Sequence, residues 1–318
     1  MVVRYLFAFI LMFVFVSCLD KQQITSLNIS TDLLNAQKVF LELKDFLTIS
    51  PRESGTEQSE KAAKYILSKL KSYGLNSQIH YFEEETSVGK IGFRNIVGKL
   101  DGNNGKIIIL ASHYDTKGGI SSDFQGANDS GSSTALLLEL ARIFTLEFNE
   151  IKNNNKIGII KVPTIFFAFL DGEECRESYG PNDGLHGSRY MVEWLTKEGM
   201  LKSVIAVIVL DMIGDANLNV ELPPNSSTKL VNLVFQSAHK AGVRNFFKLG
   251  ENIIIDDHLP FLQANVPAVL IIDFSYGSLL GKNDYWHTVN DSIDKISPDS
   301  LKIVGDVVIN MVNLLANE

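Results

Sequence analysis

The sequence predicts a single doubly wound α/β domain, with a mostly parallel central sheet flanked by helices. Strand candidates alternate with helical segments over most of the 318 residues, which is typical of that class. Two strand candidates, Ile107–Leu110 and Val204–Leu210, are apolar on both faces, as strands covered by helices on both sides must be. The composition, 45% hydrophobic and 21% charged, allows a full core and excludes collagen, low-complexity disorder and a polytopic membrane protein.

The individual elements follow from the spacing of apolar residues and from the residues at their ends. The segment Glu57–Tyr73, for example, has its apolar residues on one face and Gly74 as its stop, which predicts a helix. Further helices are predicted at Leu34–Leu47, Ser130–Phe144, Ser188–Glu198, Ser227–Ala241 and Ser300–Leu315. Strands are predicted at Gln78–Phe82, Asn95–Leu100, Lys106–Ser112, Thr164–Leu170, Ile205–Asp211 and Ala268–Asp273.

The charge and cysteine counts exclude several classes of protein. Asp and Glu outnumber Lys and Arg by 37 to 29, which gives a formal net charge of -8. No electrostatic attraction therefore favours nucleic acid or anionic lipid as a partner. The chain has two cysteines, Cys18 and Cys175, which are too few for a disulfide-stapled fold or a Cys-rich zinc module.

The N-terminus has the organisation of an export signal. Residues 1–17 contain one positive charge, an apolar run too short to span a bilayer comfortably, and a small residue at the end. Cys18 follows directly, which resembles the lipoprotein box of bacteria and makes this cysteine a candidate for lipidation; a plain signal peptide is the alternative. We predict that residues 18–31 form a tether and that residues 32–318 form the folded domain. We therefore expect an exported protein, either a membrane-anchored bacterial lipoprotein or a periplasmic or secreted one.

Polar clusters follow several predicted strands, at the edge of the sheet where open α/β folds bind their ligands. Each cluster alone has a structural explanation: Asp129 precedes a helix and fits an N-cap, and Asp211 ends a strand and fits a turn. Together they supply two imidazoles and four carboxylates, a nitrogen and oxygen ligand set for zinc. These residues are His113, Asp129, Glu173, Glu174, Asp211 and His287.

In order and setting, these residues resemble the zinc aminopeptidase/glutaminyl cyclase superfamily, the M28 group, over nearly the whole chain after the export signal. The matching motifs are His113-Tyr-Asp, Gly126-Ala-Asn-Asp129, Glu173-Glu174, Asp211 and His287. Three stretches are more similar to the animal-type glutaminyl-peptide cyclotransferases than to the aminopeptidases. They are the long spacing from Asp171-Gly-Glu-Glu to Gly187-Ser-Arg189, the strand end Val209–Gly214, and Asp256-Asp-His258 followed by Trp286-His287-Thr288.

The resemblance implies a zinc-aminopeptidase-like fold and an enzyme that converts the N-terminal Gln of peptides or proteins to pyroglutamate with release of ammonia. It implies that Asp129, Glu174 and His287 hold one zinc ion, and that Glu173 is the general acid/base. Residues 32–318 would then be the zinc-dependent catalytic domain. We expect a monomer whose partners are peptide or protein N-termini, with no nucleic acid and with membrane contact only through a lipid anchor.

Further residues receive roles from the same resemblance. Asp211 and Asp256 are implied to form a hydrogen-bonded acid network with Glu173. Trp286 is implied to line the substrate pocket, and Tyr179 stands at the pocket rim, where the animal enzymes carry Trp.

Two other functions remain open from the sequence. In a di-zinc aminopeptidase that hydrolyses N-terminal residues, His113 and Asp211 would hold a second zinc, Asp129 would bridge the two ions and Glu173 would activate water. Every ligand for two metals is present, so the ligand count does not separate the two enzymes. A catalytically inactive, tethered binding protein on the same fold is the third hypothesis, against which the intact Glu173 counts.

Overall fold

The computed structural model describes residues 27–153 and 160–317, and a mixed sheet lies at their centre. Its strands are β1 (Asn76–Thr86), β2 (Gly89–Leu100), β3 (Ile107–His113), β4 (Thr164–Leu170), β5 (Val204–Asp211), β6 (Val220–Leu222), β7 (Phe247–Leu249) and β8 (Ala268–Ile272). They lie in the order β1-β2-β4-β3-β5-β8-β6-β7. Neighbours among β4, β3, β5 and β8 are parallel, whereas β1 and β2 form an antiparallel hairpin that pairs antiparallel with β4.

Helices cover both faces of the sheet. They are α1 (Ala36–Leu47), α2 (Glu57–Ser72), α3 (Ser133–Asn153), α4 (His186–Lys197), α5 (Thr228–Lys240), α6 (His258–Gln263) and α7 (Pro298–Ala316). Strand β3 shows how the two layers arise, since all of its residues are buried. Ile108 and Leu110 belong to one apolar core, and Ile107 and Ile109 belong to the other. Because successive side chains of a strand point to opposite faces, an all-apolar strand joins two cores. The predicted fold class is confirmed.

The differences from the predicted elements concern short or locally polar segments. Strands β6 and β7 have three residues each and helix α6 has six, which is too short for a periodic pattern to emerge. The β1–β2 hairpin is about twice as long as predicted, because its outer half alternates exposed and half-buried residues. Helix α3 begins at Ser133 rather than at Ser130, after an irregular turn that carries a site residue.

The predicted signal peptide and Cys18 lie outside the described residues. Residues 18–26 of the predicted tether also lie outside them, and within its last part Leu27 and Ile29 are buried against the domain. Asn313 on α7 fixes this segment: its Oδ1 accepts the N–H of Ile29 and its Nδ2 donates to the carbonyl of Ile29, both at 2.8 Å. Among residues 27–153 and 160–317, no helix has both the length and the apolar character needed to cross a bilayer.

Candidate active site

The site lies at the carboxyl ends of the parallel strands. His113 is the last residue of β3 and Asp211 is the last residue of β5, and these two strands are neighbours in the sheet. On the other side of β3 lies β4, which ends at Leu170 and continues into the loop that carries Glu173 and Glu174. Since adjacent parallel strands end at one edge of a sheet, side chains far apart in sequence meet there.

Two further segments complete the site. Asp129 lies in the irregular turn Ala127–Ser132 with non-helical backbone angles (φ -106°, ψ 88°), so it is not the N-cap of α3 that its position also suggested. His287 lies in the loop between β8 and α7 and has a left-handed φ of 55°. Gly126, which directly precedes the turn that carries Asp129, also has a φ of 55°. A Cβ at Gly126 would lie 2.5 Å from the Thr116 side chain. Only glycine therefore fits where this turn folds back on itself.

Asp129 is shared by two groups of side chains. One of its carboxylate oxygens lies 3.2 Å from His113 Nε2, which also lies 3.2 Å from Asp211 Oδ1. Its other oxygen lies 3.4 Å from His287 Nε2, which lies 3.1 Å from Glu174 Oε1. In each group, the three atoms that could bind a metal lie within 4.8 Å of one another. Both ligand sets considered from the sequence are thus brought together, with Asp129 in common.

The donor set fits a divalent metal ion. Imidazole nitrogen and carboxylate oxygen are the protein ligands of catalytic zinc sites. Glu174 Oε2 is buried without a hydrogen-bond partner, an arrangement that is costly unless something else satisfies the atom. Lys117 Nζ lies 3.9 Å from it, beyond hydrogen-bond distance. The group Asp129, Glu174 and His287 therefore contains a carboxylate oxygen with unused bonding capacity.

Two buried aspartates, Asp115 and Asp291, bond to the segments that carry the candidate ligands. Asp115 accepts the backbone N–H groups of Glu173 and Glu174, each at 3.3 Å, and lies 3.4 Å from His113 Nδ1. A carboxylate at this place helps to orient the His113 ring. Asp291 accepts the N–H of Asp129 at 3.2 Å, so it fixes the turn rather than serving only as a turn residue of its own loop. Its place four residues after His287 was the only sequence signal for this role.

The carboxyl groups of Glu173, Asp211 and Asp256 are buried at the base of the site. Burial raises the pKa of all three, and it raises those of Glu173 and Asp256 well above the usual range. The charge of Asp211 adds to the rise for Asp256, and that of Asp256 adds to the rise for Glu173. The direct hydrogen bonds that the resemblance implied are replaced by others: Asp211 bonds to His113, and Asp256 accepts the N–H of Asp257. The three acids are therefore coupled through charge.

The group Asp129, Glu174 and His287 has a different charge balance. Burial and the charge of Asp129 raise the pKa of Glu174 to about 7. Burial also acts to raise the pKa of Asp129, but hydrogen bonds from His113 and His287 outweigh it and hold this pKa below the usual range. Burial acts to lower the pKa of His287, and contacts with Asp129 and Glu174 outweigh it to raise that pKa to about 9. Asp129 is thus the carboxylate of the site that stays ionised most readily.

The site opens into a cleft of about 320 Å³. Trp286 and Tyr179 line this cleft, and the Tyr179 hydroxyl donates a hydrogen bond to the Glu173 carboxylate. Sequence reasoning missed its apolar wall, which is formed by residues 253–255 and Phe274. Ile253 is 73% exposed although it is a large hydrophobic residue. Three consecutive isoleucines directly before an acidic pair were the available signal, since exposed apolar clusters often mark binding surfaces.

Comparison with known proteins places this geometry in a family. The model of peptidase family M28 matches residues 95–312. A glutaminyl-peptide cyclotransferase-like protein of Bos taurus is 30% identical over 273 residues, which are 79% of this chain and 68% of the relative. A glutaminyl-peptide cyclotransferase of Drosophila melanogaster is 26% identical over 278 residues, 80% of this chain and 75% of the relative.

A solved structure is similar over almost the full length. The crystal structure of a glutaminyl cyclase from an Acidobacteriales bacterium superposes with a TM-score of 0.79 at 31% identity, covering 93% of this chain and 97% of the other. Its similarity extends across the sheet and both helical layers, and the family match spans every residue of the two ligand groups. The chain therefore belongs to peptidase family M28 and, within it, to the group of glutaminyl-peptide cyclotransferase homologues.

Proposed function

We propose that this protein is a zinc-dependent glutaminyl-peptide cyclotransferase, which converts the N-terminal Gln of peptides or proteins to pyroglutamate and releases ammonia. The observation that carries the proposal is the position of Glu173. Its carboxylate lines the cleft directly beside Glu174. His287, which contacts Glu174, lines the same cleft. An acid/base next to a metal ligand reaches a substrate held at that metal.

The residues divide into those that hold the metal and those that act on protons. Asp129, Glu174 and His287 would hold one zinc ion, and when bound that ion supplies a Lewis acid for the substrate carbonyl. Glu173 accepts a proton from the substrate α-amine, whose nitrogen then bonds to the side-chain amide carbon. As the bond from that carbon to the amide nitrogen breaks, Glu173 returns the proton to the departing ammonia.

The surroundings of Glu173 suit a group that must hold and release a proton. Burial raises its pKa well above the usual range, and Asp256 strengthens this effect. A carboxyl group with a raised pKa serves as base and as acid within one turnover. Asp211 and Asp256 would thus support Glu173 by charge, while Trp286 and Tyr179 form walls that bind the Gln side chain and exclude water.

A di-zinc aminopeptidase is the second candidate, favoured by the group His113, Asp129 and Asp211. This group offers a second set of ligand atoms, with Asp129 placed to bridge two ions. Against it stands the closeness of His113 Nε2 to one oxygen of Asp129 and one of Asp211, 3.2 Å in each case, because the three side chains also pair with one another without a metal.

The proposal extends to export and to the domain division. The apolar run and Cys18 support a signal peptide at residues 1–17, with lipidation of Cys18 as a further proposal. The short segment after Cys18 would serve as a tether, and the folded catalytic domain would act as a monomer on peptide N-termini outside the cytoplasm.

The deciding experiment measures zinc content and turnover of two substrates on the purified chain without residues 1–18. We expect one zinc per chain, ammonia release from a peptide with N-terminal Gln, and no hydrolysis of a leucine arylamide. Two zinc ions with arylamide hydrolysis would establish the aminopeptidase instead, and zinc binding without either turnover would indicate the inactive binding protein. As a matched control, Glu173→Gln should retain zinc and lose at least about 100-fold in kcat, because general acid–base catalysis contributes roughly that much or more.

A further inference from the structure

The loop after Glu174 carries one side chain back to the proposed acid/base. The Tyr179 hydroxyl lies 3.0 Å from Glu173 Oε1 and 3.3 Å from Oε2, so its single proton is shared between both carboxylate oxygens. We propose that Tyr179 is a positioning residue, whose hydroxyl holds the Glu173 carboxylate at the orientation needed for proton transfer. This inference rests on the proposed function, because it takes Glu173 as the acid/base.

The backbone of this loop is organised to return Tyr179 to Glu173. The N–H of Leu185 donates to the carbonyl of Glu173 at 3.0 Å, so this hydrogen bond closes the loop at the proposed acid/base. Inside it, the Asp183 carboxylate accepts three successive backbone N–H groups, those of residues 176–178, at 2.5, 2.9 and 3.1 Å. Gly180 and Asp183 also pair as an isolated bridge. The residue before this bridge is Tyr179, which is therefore fixed from both sides.

Gly184 provides the space for the tyrosine ring. A Cβ at this position would lie 2.5 Å from Tyr179 Cδ1 and 2.8 Å from Cε1, distances that real Cβ atoms do not reach. The residue also has a φ of +73°, which favours glycine. The long spacing between the Glu-Glu pair and Gly187-Ser-Arg189 thus has a structural purpose, since it allows a closed loop to place a phenol against Glu173.

The hydroxyl supplies something that the ring alone does not. A tyrosine is a neutral donor at physiological pH, and a hydrogen bond to a carboxylate is stronger than one between neutral groups. No other side-chain donor within hydrogen-bond distance of the Glu173 carboxylate occurs among the residues that the structure describes. Without the hydroxyl, the carboxylate would be free to rotate about its last bond. Misorientation of a catalytic group lowers the rate of the chemical step more than it lowers substrate binding.

The first test is Tyr179→Phe, which removes the hydroxyl and keeps the ring as a wall of the cleft. We expect kcat for a Gln-peptide to fall roughly 10- to 100-fold with KM within about twofold and zinc content unchanged. Tyr65→Phe is the matched control, because Tyr65 also donates to a glutamate, Glu42, at 2.6 Å but on the α1–α2 surface. That control should leave kcat and KM unchanged. A rise in KM at constant kcat, or no change at all, would overturn the positioning role.

A second pair of variants tests the loop with the hydroxyl still present. Gly184→Ala would push the ring away from Glu173, and we expect it to lower kcat as Tyr179→Phe does. Gly242→Ala carries the same backbone cost, because Gly242 also has a φ of +73°, but a Cβ there meets nothing within 4 Å. Equal activity of the two alanine variants would refute the claim that Gly184 serves the placement of Tyr179.

A measurement without turnover separates this inference from the proposed function. Thermal unfolding of the zinc-free wild type, Tyr179→Phe, Glu173→Gln and the double variant forms a double-mutant cycle. If the pair interacts as described, the shifts in Tm will not add, whatever reaction the enzyme catalyses. Additive shifts would reject the Tyr179–Glu173 interaction, whereas a coupled pair in a wild type that releases no ammonia would reject only the proposed function.

Discussion

The two histidines of the site contact opposite oxygens of one carboxylate, yet their surroundings differ. His113 ends a central strand, its side chain is 2% exposed, and Asp115, Asp129 and Asp211 all lie within 3.4 Å of its ring nitrogens. His287 lies in a loop, its side chain is 19% exposed, and it stacks on Trp286 with ring centroids 3.9 Å apart.

The difference shows how one aspartate serves two purposes. Burial acts to lower the pKa of His113, but the three carboxylates that face its ring nitrogens outweigh burial and raise it well above the usual range. The raised pKa favours the charged form of His113, whose contact with Asp129 in turn helps to lower the pKa of that carboxyl. His287 faces the cleft, and its neighbour Glu174 has a buried oxygen without a hydrogen bond. These differences support the proposal that the metal binds on the His287 side, whereas His113 balances charge.

The largest expected effect comes from the residue that both histidines share. Asp129→Asn would remove the ionised carboxylate from both groups, so we expect zinc content to fall close to zero. Turnover should fall by more than the roughly 10- to 100-fold typical of residues that only support a ligand. Zinc analysis and ammonia release measure the two effects. Asp273→Asn is the control, since Asp273 is equally buried and accepts two backbone N–H groups, and it should retain zinc. Normal zinc content in Asp129→Asn would remove this aspartate from the metal site.

The next effect separates the two histidines. His287→Ala should lose most of its bound zinc, because it removes one of three protein ligands. His113→Gln should still bind one zinc ion, with a midpoint of thermal unfolding several degrees lower, because the buried carboxylates around it lose their positive partner. Zinc content and unfolding are measured on both variants. If each variant instead loses one of two zinc ions, the two sides are equivalent and the di-zinc aminopeptidase is the better assignment.

The sequence predicts the site residues that lie at the ends of strands. It does not predict contacts that depend on how a loop closes or on a distant segment. His113, Asp211 and the Glu173-Glu174 pair follow apolar strands, and parallel strands must end together, so their convergence was predictable. The bond from Tyr179 to Glu173 was not, because it depends on a loop closed by Asp183 and on the space that Gly184 leaves.

The sequence also did not predict the hydrogen bonds by which distant residues support the site. Asp291 accepts an N–H of the turn that carries Asp129, a contact between residues separated by 162 positions. Nothing in the local sequence of either segment encodes such a pairing, because both look like ordinary polar loops. The burial of Ile29 was not predictable for a related reason: this residue has no periodic pattern around it, but its backbone bonds to Asn313 on the last helix.

The smallest expected effect extends the comparison to a third histidine, His258, whose partner is neutral. His258 is fully buried, Asn225 Nδ2 lies 3.2 Å from its Nε2, and burial lowers its pKa to about 4. The unfolded chain, with a histidine pKa near 6.5, therefore takes up this proton more readily than the fold does. The contribution of neutral His258 is fully present above about pH 6.5 and is lost as the pH falls towards 4, by at most about 3 kcal/mol. Urea unfolding at about pH 7 and pH 4.5 should show a larger loss of free energy of unfolding for the wild type than for His258→Gln. His239→Gln, at an exposed histidine, should behave as the wild type does. An equal loss in wild type and His258→Gln would mean that His258 is protonated in the fold, and that a neutral partner does not distinguish it from the two histidines of the site.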